Sequence, residues 1–235
     1  MSKETAILMA AGLGTRMRPI TETTPKPLVK VYGTPMIETV INGFIKRGVD
    51  QIYIVLGYKK EQFSYLKEKY PNVRLIENRE YTEKNNISSL KAAGDILGSA
   101  DCFVCEADLF VSDASIFEGV IDKSCYFGKM VKGHSGDWVF DMEGDRITRV
   151  GVGGDDLYNM VGISYWKQSD AKLIHDSIEE AYKHPGHEKL YWDEIVDKEI
   201  RNIYVTIRPV NADQIVEIDT CSELAAIDPS YKAFL

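Results

Sequence analysis

Cysteine and histidine are scarce in this chain, and their scarcity removes several kinds of chemistry at once. The four cysteines, Cys102, Cys105, Cys125 and Cys221, set up no disulfide framework. Cys102-Phe103-Val104-Cys105 lacks the second ligand pair that a zinc ribbon requires, so all four read as reduced packing residues. His175, His184 and His187 fall in polar helical or loop surroundings without a metal-ligand rhythm, and a solvated position is expected for each. Long apolar runs are missing too. None approaches the roughly 20 residues of a membrane-spanning helix, and Met1-Ser2-Lys3-Glu4 leads straight into the first apolar strand without a secretory signal. A cytoplasmic protein with no membrane partner is expected. Positive charge is in deficit: 28 Lys and Arg against 36 Asp and Glu leave a formal net charge of −8, which argues against nucleic acid as a partner. A polyanionic ligand must therefore be met by cations gathered locally.

What is present is the pattern of an α/β protein. No linker, repeat or low-complexity segment interrupts the 235 residues, and at 44% hydrophobic they can bury a sizeable core, so a single domain over 1–235 is expected. The first half alternates apolar strands (5–10, 51–56, 73–76, 102–106) with amphipathic helices (36–47, 61–70, 88–96). That alternation predicts a Rossmann-like, mainly parallel sheet flanked by helices. Shorter strands at 125–130, 138–141, 147–150 and 160–166 predict a mixed extension, a small insertion forming one side of the site. Helices at 171–182 and 192–198 and a strand at 204–210 complete the pattern.

The most informative stretch runs from Leu8 to Pro19 and on to Thr24-Pro25-Lys26-Pro27. It joins a strand to a glycine turn and then to spaced cations, a loop suited to a nucleoside triphosphate. Gly12 and Gly14 let backbone N–H groups approach phosphate oxygens, and Arg16, Arg18 and Lys26 supply charge-assisted donors. A Walker A loop would place Lys and Ser/Thr directly after the last glycine, and a dinucleotide fingerprint would need a third glycine near Met17. Neither pattern is present. Beyond the loop, ligands of open parallel sheets sit past the strands' carboxyl ends. Asp108 follows the 102–106 strand, and Asp219 closes Glu217-Ile218-Asp219; two such acids can share one hard divalent cation with phosphate oxygens. The competing reading is a turn residue at Asp108 and a helix cap at Asp219 or Thr220.

Gly-x-Gly-x-Arg followed by Pro19, Thr21 and Pro25-Lys26-Pro27 resembles the signature of nucleotidyltransferases that make sugar nucleotides and CDP-alcohols. The resemblance to bacterial CTP:phosphocholine cytidylyltransferases runs nearly end to end. It includes Gly57-Tyr58, the Asn85-Asn86 pair, Trp138, Tyr191-Trp192-Asp193 and the closing Glu217-Ile218-Asp219. Gly128-Lys129-Met130 and Gly136-Asp137-Trp138 resemble the branch that activates 2-aminoethylphosphonate.

The resemblance implies a fold of the nucleotidyltransferase type, CTP and Mg2+, and a small zwitterionic phosphonate or phosphate as acceptor. Ala11, Gly12, Gly14 and Thr15 would hold the nucleotide, Arg16 and Lys26 the reacting phosphates, and Asp108 and Asp219 the metal. Asn85, Asn86 and Ser89 would lie beside the base, where an Asn amide can meet both donor and acceptor edges of a pyrimidine. Trp138, Tyr191 and Asp193 would box the cationic end of the acceptor by cation–π attraction and charge. Lys129 would pair with its anionic end, with Asp137 orienting that lysine or supporting a second metal. Phosphocholine is the alternative acceptor. A sugar-1-phosphate nucleotidylyltransferase, a glycosyltransferase and a nucleotide-sensing domain are more distant readings. A homo-oligomer, or a partner domain joined near Asp228-Pro229-Ser230-Tyr231, is left open.

Overall fold

Apolar stretches of five to seven residues between polar turns become the central strands, because a strand buried on both faces needs no alternation. The computed structural model describes residues 3–234. In chain order its strands are β1 (Glu4–Ala10), β2 (Lys30–Val31), β3 (Thr34–Pro35), β4 (Gln51–Leu56), β5 (Val73–Glu77), β6 (Asp101–Glu106) and β7 (Leu109–Val111). They continue with β8 (Ser124–Met130), β9 (His134–Glu143), β10 (Arg146–Asp155), β11 (Tyr158–Trp166), β12 (Val205–Pro209) and β13 (Ile215–Glu217). The helices are α1 (Met36–Arg47), α2 (Tyr65–Lys69), α3 (Ile87–Ala93), α4 (Gln168–Ala181), α5 (Trp192–Glu199) and α6 (Cys221–Ile227). None is long and apolar enough to cross a membrane.

Nine strands form one sheet in the order β5-β4-β1-β6-β11-β8-β12-β10-β9. β5, β4, β1 and β6 run parallel, and β11 then joins β6 antiparallel. A parallel first half with a mixed extension is the architecture expected from the sequence. The extension curls, so that β9 pairs with both β10 and β11. Along β1, Ala6, Leu8 and Ala10 pack with α1 on one face while Ile7 packs with α3, α4 and α5 on the other, as a side-chain period of two requires. α1 ends at Gly48, whose left-handed backbone (φ 89°) closes the last turn.

Several expectations need correction. The 61–70 helix is a 3-10 turn at Lys60–Phe63 followed by the short α2, and the 88–96 helix passes into 3-10 at Gly94–Ile96. The strands at 138–141 and 147–150 are the middles of two ten-residue strands, because the glycines and charges at their ends do not prevent hairpin pairing. β7 and β13 were not anticipated; three residues are too few to carry a periodic signal. His175 is buried, not solvated, because it lies on the inward stripe of α4 with Ala171, Ile174 and Ile178. The segment after Asp228 folds back, with the Tyr32 backbone N–H donating to Asp228 at 2.8 Å.

The sheet is anchored around Phe103 on β6, whose ring is met by Tyr165 at 4.7 Å, Phe44 at 5.0 Å and Phe117 at 6.0 Å. Phe103→Ala is expected to cost about 3–5 kcal/mol of unfolding free energy, measured by chemical denaturation. Val152→Ala on an exposed strand position should change it by less than about 0.5 kcal/mol.

Candidate active site

The glycine turn after β1 is shaped by close approach. Gly14 has φ 62°, and a Cβ there would lie 2.9 Å from the Lys26 Cβ, so only glycine lets the two segments meet. The Thr21 hydroxyl donates to the Gly14 carbonyl at 2.7 Å and fixes the turn from below. Met17, fully buried, packs with Val29, Val31 and Met36 and with Ile218 and Leu224 from the far end of the chain. That apolar cluster draws the loop and the segment carrying Asp219 together. β7 and β13 pair antiparallel, and the Ile218 N–H donates to the Asp108 carbonyl at 3.3 Å, so Asp108 and Asp219 meet across a two-stranded ladder.

At the centre, the Lys26 ammonium donates to Asp108 Oδ2 at 2.6 Å and to Asp219 Oδ1 at 2.5 Å. Burial alone would pull its pKa down, but the two carboxylates outweigh that and hold it above the ordinary lysine value. Arg16, largely exposed, also reaches Asp219 Oδ1, at 2.8 Å. Asp219 is therefore not a helix cap. Thr220 caps α6 in a reciprocal box with Glu223, which frees the Asp219 carboxylate for the site.

Three adjoining cavities line the carboxyl ends of β1 and β6. The first, about 350 Å³, is walled by Gly12, Gly14, Thr15, Arg16, Lys26, Asp108 and Asp219. The second, about 260 Å³, is lined by Ala11, Gly12, Asn85, Asn86, Ser89 and Asp108. The third, about 740 Å³, collects Lys129, Asp137, Trp138, Tyr191, Asp193, Arg16 and Asp219. Shared walls make them one cleft: Gly12 and Asp108 join the first two, Asn86 joins the second to the third, and Arg16 and Asp219 join the first to the third. The site residues expected from the sequence thus come together, except Arg18, which lines none of the three.

Asn85 and Asp137 already make hydrogen bonds within the protein. The oxygen of the Asn85 amide accepts from the Asn86 N–H at 2.8 Å, and its nitrogen donates to the Lys189 carbonyl at 3.3 Å. One N–H of its nitrogen and one lone pair of its oxygen remain toward the second cavity. Lys129 forms no ion pair with Asp137 among the described residues; Asp137 Oδ2 instead accepts from Asn159 Nδ2 at 3.3 Å. Trp138 and Tyr191 do pair, edge to face, with ring centroids 5.5 Å apart.

Sequence reasoning missed Glu106, Glu217 and Tyr81. Glu106, Asp108 and Glu217 bring carboxylate oxygens within 4.8 Å of one another. The signal was available: Glu106 and Glu217 each stand two residues before a chosen aspartate, a spacing that puts both carboxylates on one side of an extended chain. Tyr81 lines the first two cavities, and its ring lies against Gly57, where a Cβ would sit 2.5 Å from the ring.

The carboxylate group tests the fit of a divalent cation. Asp108 Oδ1 is buried with no hydrogen-bond partner. Burial, with the charges of Asp108, Glu217 and Asp193, pushes the Glu106 carboxyl well above its ordinary value. Burial, with Asp108 and Asp219, pushes Glu217 up to about 7. Converging hard oxygen ligands in excess of their neutralising charge suit a hard divalent ion, so the residues fit one.

Asp193 is enclosed, and burial pushes its carboxyl up to about 7 against the pull of the Tyr126 hydroxyl, which donates to it at 2.9 Å. Between its unfolded value near 4 and that value, the folded chain holds a proton that the unfolded chain has released. The stability this lends is lost as pH rises through about 7. The fall in melting temperature between about pH 5 and pH 8 is therefore expected to shrink in Asp193→Asn, read by thermal scans at both pH values.

Residues 5–126 match the family described as Nucleotidyl transferase. The 2-aminoethylphosphonate cytidylyltransferase of Lancefieldella rimae is 55% identical over 97% of this chain and 94% of that protein. The choline-phosphate cytidylyltransferase of Streptococcus pneumoniae is 35% identical over 97% of this chain and 98% of its own length. A solved structure of CTP:phosphocholine cytidylyltransferase from Streptococcus pneumoniae superposes with a TM-score of 0.90 at 34% identity, covering 98% of this chain and 100% of that one. The inositol-1-phosphate CTP transferase of T. maritima, at 15% identity and a TM-score of 0.75 over 100% of this chain and 96% of that one, shares the fold. The glycine turn, the Lys26 ion triad and these relatives agree: the chain belongs to the nucleotidyl transferase family, alongside its cytidylyltransferases.

Proposed function

We propose that this protein transfers CMP from CTP to 2-aminoethylphosphonate, giving CMP-2-aminoethylphosphonate and pyrophosphate. The observation that carries the reading is the Lys26 ammonium held between Asp108 and Asp219 at the mouth of the glycine turn, where the nucleotide cavities open into the large third cavity. The 55% identity to a relative named for this acceptor supports the choice of phosphonate.

A phosphonate oxygen, anionic near neutral pH, attacks the α-phosphorus of CTP. A new P–O bond forms, the bond to the oxygen bridging α- and β-phosphorus breaks, and pyrophosphate leaves with that electron pair. The nucleophile is already ionised, so no general base is required. Backbone N–H groups of the Gly12–Gly14 turn meet the triphosphate, and Arg16 and Lys26 neutralise charge that builds on the leaving group and on the α-phosphate. Asp108, with Glu106, Glu217 and Asp219 around it, would hold Mg2+, which supplies Lewis-acid polarisation of phosphate oxygens when bound. The acceptor's ammonium rests among Trp138, Tyr191 and Asp193, and Lys129 faces its phosphonate.

One observation favours a second reading. An edge-to-face Trp138–Tyr191 pair beside a carboxylate also suits the trimethylammonium of phosphocholine, which attracts aromatic faces but donates no N–H bond.

Lys26→Ala and Asp108→Ala are each expected to lower kcat by about 100-fold or more while the far-UV circular dichroism stays that of the wild type; full activity of both variants at saturating magnesium would overturn the assignment. Pyrophosphate release with CTP and magnesium, compared for 2-aminoethylphosphonate, phosphocholine and phosphoethanolamine, should give the phosphonate the highest kcat/KM. A preference for phosphocholine would transfer the reading to CDP-choline synthesis, and release of CDP instead of pyrophosphate would exclude both.

A further inference from the structure

The two ends of the cleft are built from separate parts of the chain. The second cavity is walled by the segment around Asn85 and Asn86, while Tyr191 and Asp193 of the third cavity flank the start of α5, more than a hundred residues later. Asn86 lines both cavities. It stands at the amino end of α3 but does not cap that helix with its side chain. Its Oδ1 instead accepts from the backbone N–H of Trp192 at 2.9 Å.

That N–H is the first of α5, one of the groups a helix start leaves without an intrahelical partner. Since a backbone N–H can only donate, the bond fixes the amide of Asn86 with its oxygen toward α5. The neighbouring residue reinforces the link: the Asn85 N–H donates to the Glu188 carbonyl at 2.9 Å, and Asn85 Nδ2 donates to the Lys189 carbonyl. Trp192 itself is buried between Tyr126 and Trp166, and the Tyr126 hydroxyl holds Asp193. A shift of the Trp192 backbone would therefore move the Tyr191 ring and the Asp193 carboxylate together.

We infer that Asn86 is a positioning residue for the acceptor: its side-chain oxygen holds the first turn of α5 so that Tyr191 and Asp193 face the cationic end of the acceptor beside Trp138. The identity of the acceptor rests on the function proposed above, whereas the hold on α5 does not. Because Asn86 also lines the second cavity, its hold on α5 is read from the acceptor's KM relative to that of CTP and from the Trp192 N–H itself. Asp supplies an oxygen at the same place and Ala does not, which separates the role from simple loss of packing.

The test uses the full-length protein and two variants, Asn86→Ala and Asn86→Asp. Loss of the bond to a helix-start N–H is expected to raise the KM for 2-aminoethylphosphonate about tenfold in Asn86→Ala. The KM for CTP should rise by a smaller factor than the KM for the acceptor. Asn86→Asp should bring the acceptor KM back to within about threefold of the wild type. Backbone hydrogen exchange at Trp192 should be faster by about tenfold in Asn86→Ala and near wild type in Asn86→Asp. Unchanged Trp192 exchange in Asn86→Ala, or a fall in CTP-over-UTP preference that Asn86→Asp does not repair, would overturn the inference and make Asn86 a reader of the base. A wild type that releases no pyrophosphate with 2-aminoethylphosphonate defeats the proposed function by itself, and the exchange measurement still decides whether Asn86 holds α5.

Discussion

The Lys26 ammonium, enclosed between the carboxylates of Asp108 and Asp219, is the interaction on which the site depends. Burying a lone cation is costly, and it is tolerated here because two anions offset the lost hydration. Each of those anions reaches the spot through a different device. Asp108 is carried past the end of a strand anchored in the middle of the sheet. Asp219 is brought from the other end of the chain by the pairing of β7 with β13 and by the packing of Ile218 and Leu224 on Met17. Loop, central strand and carboxyl-terminal helix thus converge because of one ion triad and one small apolar cluster beside it.

Negative charge exceeds positive charge at this point of the fold. Glu106 and Glu217 stand beside the triad without cationic partners among the described residues, and their carboxyls are pushed upward by burial and by one another's neighbours. A site so constituted favours a divalent ion, which then offers a polyphosphate a charge-balanced place. The net acidity of the whole chain is no obstacle to a polyanionic substrate, since Arg16 and Lys26 lie where it matters.

The cleft opens where the sheet changes character. β11 is antiparallel to β6, and one strand earlier the strand order reverses, with β4 and β5 on one side of β1 and β6 on the other, the kind of place where open parallel sheets bind ligands. The parallel half brings the glycine turn and Asp108, and the curled extension brings Lys129, Asp137 and Trp138. Glu106 and Asn86 stand on the shared walls, so neither end of the cleft is independent of the other.

Much was legible in the amino-acid order because it is local. The β1 strand, the glycine turn with its cations, the parallel half of the sheet and the long α1 helix follow from apolar runs, helical periodicity and turn residues within a few positions of one another. Chain order also marked Asp108, Asp219, Trp138 and Tyr191. What the sequence could not determine was any property that depends on which distant groups meet. The three-residue strands β7 and β13 have meaning only as a pair. The amide of Asn85 also ties its segment to the backbone at Lys189, a partner more than a hundred residues away. His175 looks polar in sequence and is buried because of the side of α4 on which it falls. The sequence by itself determined the fold class and the chemistry of the loop, since both rest on short-range backbone preferences. Only the tertiary structure decided the burial and ion-pairing of Lys26, the gathering of Glu106 with Asp108 and Glu217, and the use of Asn86, because electrostatics and hydrogen bonding act through space.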